Sequence, residues 1–409
     1  MKFTLNKPVI YVARDLERTF GLPIVTKGYY IISNYTAFAN SLVKGCKNVL
    51  LIKSDHLLDT RELLNHPMAI NFINGINDAH ILVFKNTAQI EKICLEHDWT
   101  LLNPSAELAS RVEEKISQVK WLGELKKNLP PFQIKIAKDV KWSGKSFILQ
   151  FNRAHTGSGT IFVENEKQLK EIQAKFPLRE VRVTKYITGP MFTNNNVVVG
   201  KKVLCGNINY QITGLKPFTN LPFATIGNDW ALPNKILSAK QKKEYLAMAQ
   251  AIGHKLARDG WKGLFGIDVI LEEKTGKLYL IEINARQPAS TSFESQLQQF
   301  TDKLGLATFT AHISALLGEK VVGKLIVIKS GAQITQKVTD VKKNISLSRM
   351  LYKINDLKTK KIQIFIYEND KLESDWVRMQ SISGLVNSHN NLNKLGHELK
   401  NFSESILNN

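Results

Sequence analysis

Two carboxylates, an amide and a guanidinium fall at alternate positions within Leu264 to Arg286, LFGIDVILEEKTGKLYLIEINAR. The stretch reads as a hairpin, with one strand from Phe265 to Glu273, a turn at Lys274-Thr275-Gly276, and a second strand from Lys277 to Arg286. A three-residue hairpin loop asks for positive φ at its last place, which suits Gly276. With Glu273 and Lys277 as the paired flanks, Leu271 faces Tyr279 and Asp268 faces Glu282. Alternation puts Asp268, Glu282, Asn284 and Arg286 on one face, bordered by Ile270 and Leu280; Ile267, Val269, Ile281, Ile283 and Ala285 form an apolar wall on the other. Carboxylates directly across a strand pair repel unless a cation lies between them. Hard oxygen ligands that do not complete a cage suit Mg²⁺, or Mn²⁺, which also holds waters and phosphate oxygens. Asp268, Glu282 and Asn284 are therefore the candidate metal ligands. Arg286 is the candidate catalytic group, placed to grip a phosphoryl oxygen or a developing oxyanion. The alternative is a half-exposed hairpin whose polar residues face water.

The elements that must position these residues belong to a chain too long for one compact core: 409 residues suggest two to four domains. A hydrophobic share of 43% with 22% charged residues is globular. The longest apolar runs are strand-sized, and MKFTLNKPVIYVARD lacks an apolar signal core, so the expected location is the cytoplasm, with no membrane partner. Cys46, Cys94 and Cys205 are scattered and odd in number, which reads as buried structural thiols and argues against a disulfide framework or a zinc site. The formal net charge of +20 invites a nucleic-acid partner, but the lysines are spread in doublets such as Lys201-Lys202 and Lys360-Lys361. A solvated lysine-rich surface with an anionic ligand explains the balance, without specific nucleic-acid binding.

Residues 8 to 104 alternate buried-strand runs (Val9 to Val12, Asn48 to Ile52, Ile81 to Phe84, Thr100 to Leu102) with helical stretches (Tyr35 to Lys44, Thr87 to His97). Strand and helix in turn imply a small doubly wound parallel sheet. Ser105 then caps one long helix carrying Leu108, Val112, Ile116, Val119 and Leu122 on a stripe, with Lys115 at its edge. On its own terms Lys115 reads as a surface lysine. Leu129-Pro130-Pro131 marks a boundary.

Strands follow at Gln133 to Ile136, Ser146 to Phe151, Ile161 to Val163 and Glu180 to Ile187, with a helix from Lys167 to Lys175. The loop Asn152 to Thr160, NRAHTGSGT, holds Gly157 and Gly159, where backbone N–H groups can approach an anion. Phe192 to Val199 and Val203 to Ile212 make an amide-rich hairpin around Gly200-Lys201-Lys202. Buried amides need partners, so recognition of a polar substrate stands beside simple edge exposure. A long loop from Gly214 to Pro233 and a helix from Ser238 to Gly260 lead into the hairpin. After Arg286 a loop and helix reach Leu317. Beyond Gly318 lie strands at Lys324 to Ile328 and Ile362 to Tyr367, then an amphipathic helix with Leu392, Leu395, Leu399 and Phe402 on one face, all read as scaffold.

Taken together, the order of parts over about residues 1 to 317 resembles the ATP-grasp superfamily of ADP-forming ligases. The resemblance rests on a parallel-sheet domain, the helix with Lys115, the loop HTGSGT, the linker VTKYITG, then GIDVIL and LIEINAR. The terminal pair is its specific part. It implies an α/β fold with an α+β lid, an ATP-grasp fold preceded by a small parallel-sheet domain. Expected boundaries are 1–118 for the preceding domain, 119–189 for the lid, 190–318 for the large subdomain with the metal site, and 319–409 for a C-terminal α+β extension. In that family the positions of Asp268, Glu282 and Asn284 hold two Mg²⁺ ions, and Arg286 lies against the transferred phosphoryl group. ATP would then meet Lys115, Gln150, His155, Thr156, Gly157, Ser158, Gly159, Thr184, Lys185, Tyr186 and Ile187. The chain departs from the pattern at Gln150, where a lysine is usual, at Thr184, where a glutamate often meets adenine, and at Met191, near where a ribose-binding carboxylate falls. Adenine would then rest on the backbone of Lys185 and Ile187.

The implied function is an ATP- and Mg²⁺-dependent ligase that activates a carboxylate as an acyl phosphate and joins it to an amine, with small-molecule acid and amine as partners. A regulatory ATP-binding module without turnover, and an ATP-grasp enzyme with a thiol, bicarbonate or phosphoryl acceptor, stay open. So does a homodimer.

Overall fold

The computed structural model describes residues 4–152, 159–340, 362–369 and 371–407. The chain begins with β1 (Val9–Val12), β2 (Tyr29–Asn34), α1 (Ala37–Val43) and β3 (Val49–Ile52). Then come α2 (Thr60–Leu64), α3 (Pro67–Asn74), β4 (His80–Val83), α4 (Ala88–Glu96) and β5 (Thr100–Leu101). All five strands are parallel, in the order β3-β2-β1-β4-β5. The unbroken apolar runs are explained by two buried faces: Val9 and Tyr11 pack on one side with Phe309, Ile10 and Val12 on the other with Ile81 and Ile93. Strand β2 and helices α2 and α3 were not anticipated. Cys94 is buried as expected, whereas Cys46 and Cys205 are only partly so.

The expected long helix is two helices, α5 (Ala106–Glu113) and α6 (Ser117–Leu122). Ser105 caps the first, accepting from the Leu108 N–H, and all five stripe residues are buried. The break comes at Glu114, whose backbone is extended (φ −70, ψ 135). Asn152 holds it open, its Oδ1 accepting from the N–H groups of Ile116 (2.8 Å) and Ser117 (3.1 Å) while its Nδ2 donates to Glu114 Oε2 (2.9 Å). A capping side chain from another segment has replaced a turn of helix, a choice that helical periodicity does not report.

The lid is an antiparallel sheet of β6 (Phe132–Ile136), β7 (Phe147–Phe151), β8 (Thr160–Val163) and β9 (Glu180–Lys185), ordered β6-β9-β7-β8, with α7 (Glu166–Lys175) between β8 and β9. The expected strands stand within a few residues.

A second sheet carries the hairpin. Its members are β10 (Met191–Val199), β11 (Lys202–Leu204), β12 (Asn209–Thr213) and β13 (Thr225–Asp229), followed by α8 (Pro233–Ile236) and α9 (Ala239–Arg258). Next come β14 (Gly263–Leu271), β15 (Leu278–Asn284), α10 (Thr291–Thr301), α11 (Thr308–Leu316), β16 (Ala332–Lys337), β17 (Gln363–Ile366), β18 (Asp375–Ser381) and the final helix α12 (Lys394–Leu407). The strand order is β15-β14-β10-β12-β13-β16-β18-β17, with β11 also paired to β10. Three expectations change here. The partner of β10 is interrupted at Cys205 to Ile208, the long loop after Gly214 contains β13, and Lys324 to Ile328 contributes only a single bridge through Leu325. Strands β16 and β18 were not read from the sequence, and they complete the sheet begun at Met191.

Helix α9 covers the apolar face of this sheet. Ser238 and Gln241 form its capping box, and Tyr245, Ala249, Ile252 and Leu256 face Phe265, Ile267 and Leu280. Ile252, Leu256, Phe265, Ile267 and Leu280 each contribute about 1.5–3 kcal/mol by this burial. Gly253 lets helix and sheet meet, since a Cβ there would lie 2.6 Å from Val203 Cγ1.

Candidate active site

Asp268 and Glu282 are direct cross-strand partners, as the hairpin arithmetic required. Nearer the turn the pairing differs: Leu271 faces Leu278 and Ile270 faces Tyr279. The turn is one residue longer than expected, closed by Glu272 N–H to Lys277 O (2.9 Å) and Gly276 N–H to Glu272 O (2.8 Å), with Gly276 at φ 69. A bulge opposite the Asp268–Val269 step absorbs the extra residue and restores the register. The bulge turns Ile281 onto the site face, where it packs with Ile187, Met191, Ile270 and Tyr279, and sends Leu280 into the core. Both side chains are therefore on the opposite face from the one expected.

The two carboxylates live in different surroundings. Asp268 accepts from Asn284 Nδ2 (3.2 Å) and from the side chains of Thr193 and Gln211. Burial, and then the nearby Glu282 charge, push its carboxyl up to about 6. Burial acts on Glu282 in the same sense, but the charges of Lys115 and Arg286 overcome it and hold that carboxyl below its ordinary value. Lys115 Nζ lies 2.9 Å from Glu282 Oε1, and its side chain is 15% exposed, so the expectation of a surface lysine gives way to a partly buried, paired cation. The break at Glu114 is what turns it inward. Arg286 pairs with Glu113, the last residue of α5, and Glu113 also takes Lys85 Nζ at 2.6 Å.

Among the described residues no three His, Cys, Asp or Glu side chains converge on a point. Asp268, Glu282 and Asn284 supply oxygen donors only, and too few for a closed cage. That donor set fits Mg²⁺ completed by phosphate and water, and does not fit a resident zinc.

Facing the carboxylates, the lid contributes Gln150 and Arg182, partners across β7 and β9. Arg182 donates from Nε (2.9 Å) and Nη2 (2.6 Å) to Gln150 Oε1, and from Nη1 to Gln118 Oε1 (3.5 Å). It is 3% exposed, and burial lowers its pKa to about 10, opposed by the Glu282 charge. Arg182 was missed in the sequence. The available signal was its parity with Thr184 on the same strand. Glu113, Lys85 and Thr193 were missed as well, because each reaches the site from a separate element, whereas Gln211 belongs to the amide-rich hairpin for which the sequence left recognition of a polar substrate open.

Thr184, 8% exposed, keeps a hydroxyl with no hydrogen-bond partner among the described residues, while Ile187, Met191 and Ile281 join a small apolar cluster with Ile270 and Tyr279. An orphan buried hydroxyl suits a ligand that brings a polar edge to it. The Lys185 N–H is taken by Pro131 O (2.9 Å), and its ammonium lies 2.7 Å from Glu272, not against Asp268 or Glu282. Ile187 N–H makes no backbone hydrogen bond among the described residues. Tyr186 packs in an aromatic group, tilted against Phe162 (4.5 Å) and edge-on to Phe223 (6.1 Å). Gly159 O accepts from the Phe151 N–H (2.9 Å) at the base of the glycine loop. His155, Thr156, Gly157 and Ser158 lie outside the described residues.

Residues 112–290 match the family described as the ATP-grasp domain. This stretch of the chain is an ATP-grasp domain. The likeness in fold runs further, over nearly the whole chain. N5-carboxyaminoimidazole synthetase from Staphylococcus aureus superposes with a TM-score of 0.65 at 13% identity, covering 98% of this chain and 99% of that one. The synthase from Aspergillus clavatus, solved with ADP and 5-aminoimidazole ribonucleotide, gives 0.65 at 12% identity and 98% of each chain. The biotin carboxylase domain of 2-oxoglutarate carboxylase from Hydrogenobacter thermophilus, solved with MgADP and bicarbonate, gives 0.61 at 14% identity, covering 92% of this chain and 86% of that one. No curated protein matches the sequence. The preceding parallel sheet and the C-terminal strands thus share the fold of these structures. Among the described residues no helix is long and apolar enough to cross a membrane.

Proposed function

We propose that the protein is an ATP- and Mg²⁺-dependent ligase that activates a carboxylate as an acyl phosphate and joins it to an amine, releasing ADP and phosphate. One observation carries the reading: Asp268, Glu282 and Asn284 share a face with Arg286, and the cations Lys115 and Arg182 stand around them. That is a site built for a polyphosphate with its metal. The same reading divides the chain into residues 1–118, a lid at 119–189, a large subdomain at 190–318 and the extension 319–409.

Asp268, Glu282 and Asn284 would hold Mg²⁺, which when bound neutralises the phosphates and aligns in-line attack. Lys115 exchanges its Glu282 partner for phosphate oxygens as the nucleotide arrives. Arg182 meets the phosphates from the lid in the place usually served by a lysine, so the departure at Gln150 removes no charge from the site. Arg286, oriented by Glu113, steadies the oxygens of the phosphoryl group in transit. The acid's oxygen attacks the γ-phosphorus and the bond to ADP breaks. The amine nitrogen then attacks the acyl carbon, phosphate leaves, and the amine gives up a proton. The protein's work is positioning and charge neutralisation, and no covalent nucleophile is required.

The test is to incubate the purified chain with ATP, Mg²⁺ and mixtures of carboxylic acids and amines, following ADP and searching for a condensation product by mass spectrometry. ADP that appears only when acid and amine are both present supports the reading. MgATP binding without ADP under every mixture would favour a regulatory nucleotide-binding module.

A further inference from the structure

Helix α5 ends on an acid, Glu113, whose side chain is 9% exposed. The carboxyl end of a helix carries partial negative charge from its unpaired C=O groups, so a carboxylate there is disfavoured unless cations offset it. Two do, one on each oxygen. Oε2 accepts from Lys85 Nζ at 2.6 Å, and Oε1 accepts from Arg286 Nη1. Lys85 comes from the parallel sheet, two residues past β4, and Arg286 from the hairpin, two residues past β15. The two strand ends are also joined directly. Gln287 N–H donates to Phe84 O (3.3 Å), and the Arg18 guanidinium lies 5.0 Å from the centre of the Phe84 ring while its Nη1 donates to Ala289 O (3.0 Å).

How Glu113 is shared decides how much of Arg286 is left for a ligand. A carboxylate with both oxygens available grips a guanidinium through two parallel N–H bonds, which takes up two of its three nitrogens. With Oε2 held by Lys85, Glu113 meets Arg286 through Nη1 alone, and Nε and Nη2 make no hydrogen bond among the described residues. Those donors are available to an oxyanion. The charge of Lys85 also reaches Glu282: against burial, and after Lys115 and Arg286, it helps to hold that carboxyl below its ordinary value.

We propose that Lys85 is a positioning residue for the phosphoryl step: by occupying Glu113 Oε2 it keeps the Glu113–Arg286 pair single-pronged and leaves the rest of the guanidinium to the group in transit. The phosphoryl step rests on the ligase reading; the hold of Lys85 on the Glu113–Arg286 pair does not. Without Lys85, Oε2 turns to the guanidinium, the pair becomes two-pronged, and the acid competes with the phosphoryl oxygens for the same donors. The parallel-sheet domain thereby takes part in the chemistry of a site whose other charged groups lie beyond it in the chain.

The test is calorimetric titration of the full chain with MgADP, alone and with aluminium fluoride as the mimic of a phosphoryl group in flight. Fluoride is expected to tighten MgADP binding to the native chain by about tenfold or more. Lys85→Met should lose most of that gain while the affinity for MgADP alone changes by less than about twofold, and Lys85→Arg should keep it. Glu113→Gln should lose the gain as well, and adding Lys85→Met to it should cost nothing further, since both act through one pair. A second readout needs no ligand: the Nε–H signal of Arg286 in nitrogen NMR, identified by its absence from Arg286→Lys, should shift in Lys85→Met as that nitrogen is drawn to Glu113. A full fluoride gain in Lys85→Met, equal losses with and without fluoride, additive losses in the double variant, or an unmoved Arg286 signal each overturns the proposal. If fluoride does not tighten MgADP binding to the native chain, the ligase reading falls, and the Arg286 signal alone judges the hold of Lys85.

Discussion

Gln150 Oε1 accepts two hydrogen bonds from Arg182, at 2.9 and 2.6 Å, so the lid presents a buried arginine whose side-chain acceptors among the described residues are neutral amides. A buried cation without a paired carboxylate is destabilising by itself and is retained where an anion arrives to meet it. Arg182→Met is therefore expected to move two quantities in opposite directions. MgADP affinity should fall roughly 10- to 100-fold, as for loss of a charge-assisted phosphate contact, while the melting temperature of the free protein holds or rises. Calorimetry and a thermal melt check this, and a variant that binds MgADP as well as the native chain would remove Arg182 from the phosphate site. Gln150→Lys, which writes the usual lysine back in, sets an ammonium against the guanidinium and should destabilise by about 1–3 kcal/mol.

Glu282→Gln keeps the shape of a side chain that faces Asp268 and Lys115 and removes one of the two carboxylates proposed to hold the metal. ADP formation should fall by about 10²-fold or more. Because Lys115 loses its partner at 2.9 Å, stability should drop by no more than about 1–3 kcal/mol, leaving a cooperative melt. Turnover at the native rate would sink the metal assignment.

The Asp268–Glu282 pairing was legible because turn chemistry and strand parity are local. It survived for a less local reason: the turn is one residue longer than its glycine suggested, and the bulge at Ile281 cancels the difference. A bulge leaves no mark in a run of apolar residues, so the faces of Leu280 and Ile281 were unreadable. The strands of the first domain were legible because burial on both sides makes them continuously apolar. Strands β16 (AQITQK) and β18 (DWVRMQS) bury Ile334, Val377 and Met379 on one face and amides on the other, and the amides disguise them as loop. Arg182 was hidden for a third reason, since its role depends on the register between β7 and β9, which are separated by β8 and α7.

Glu294 of α10 is enclosed, with Oε1 accepting from Asn207 N–H (3.3 Å), Asn207 Nδ2 (3.2 Å) and Thr308 Oγ1 (3.2 Å), and Oε2 accepting from Asn195 Nδ2. Burial outweighs these donors and pushes its carboxyl from 4.5 to about 7. The folded chain then holds a proton that the unfolded chain releases, so this stabilisation is complete below about pH 4.5 and is lost as pH rises through 7. The native protein should lose up to about 3 kcal/mol more stability than Glu294→Gln between pH 5 and pH 8. Denaturant melts across that range decide it, and parallel pH slopes for the two proteins would show that Glu294 does not titrate there.

Asn152 is the side chain that keeps α5 and α6 apart, and through Glu114 it decides where Lys115 points. Asn152→Ala removes two accepted hydrogen bonds and one donated one, a loss of about 1–2 kcal/mol typical of an N-cap. The freed segment can then run on as helix, since its apolar stripe is already continuous from Leu108 to Leu122. Continuation would carry Lys115 away from Glu282 and raise the Glu282 carboxyl that Lys115 now holds down. MgADP binding should weaken roughly tenfold in Asn152→Ala, together with a gain in helical circular dichroism. Weakened binding without that gain would mean that Asn152 acts on the nucleotide side of the loop and not through the helix break.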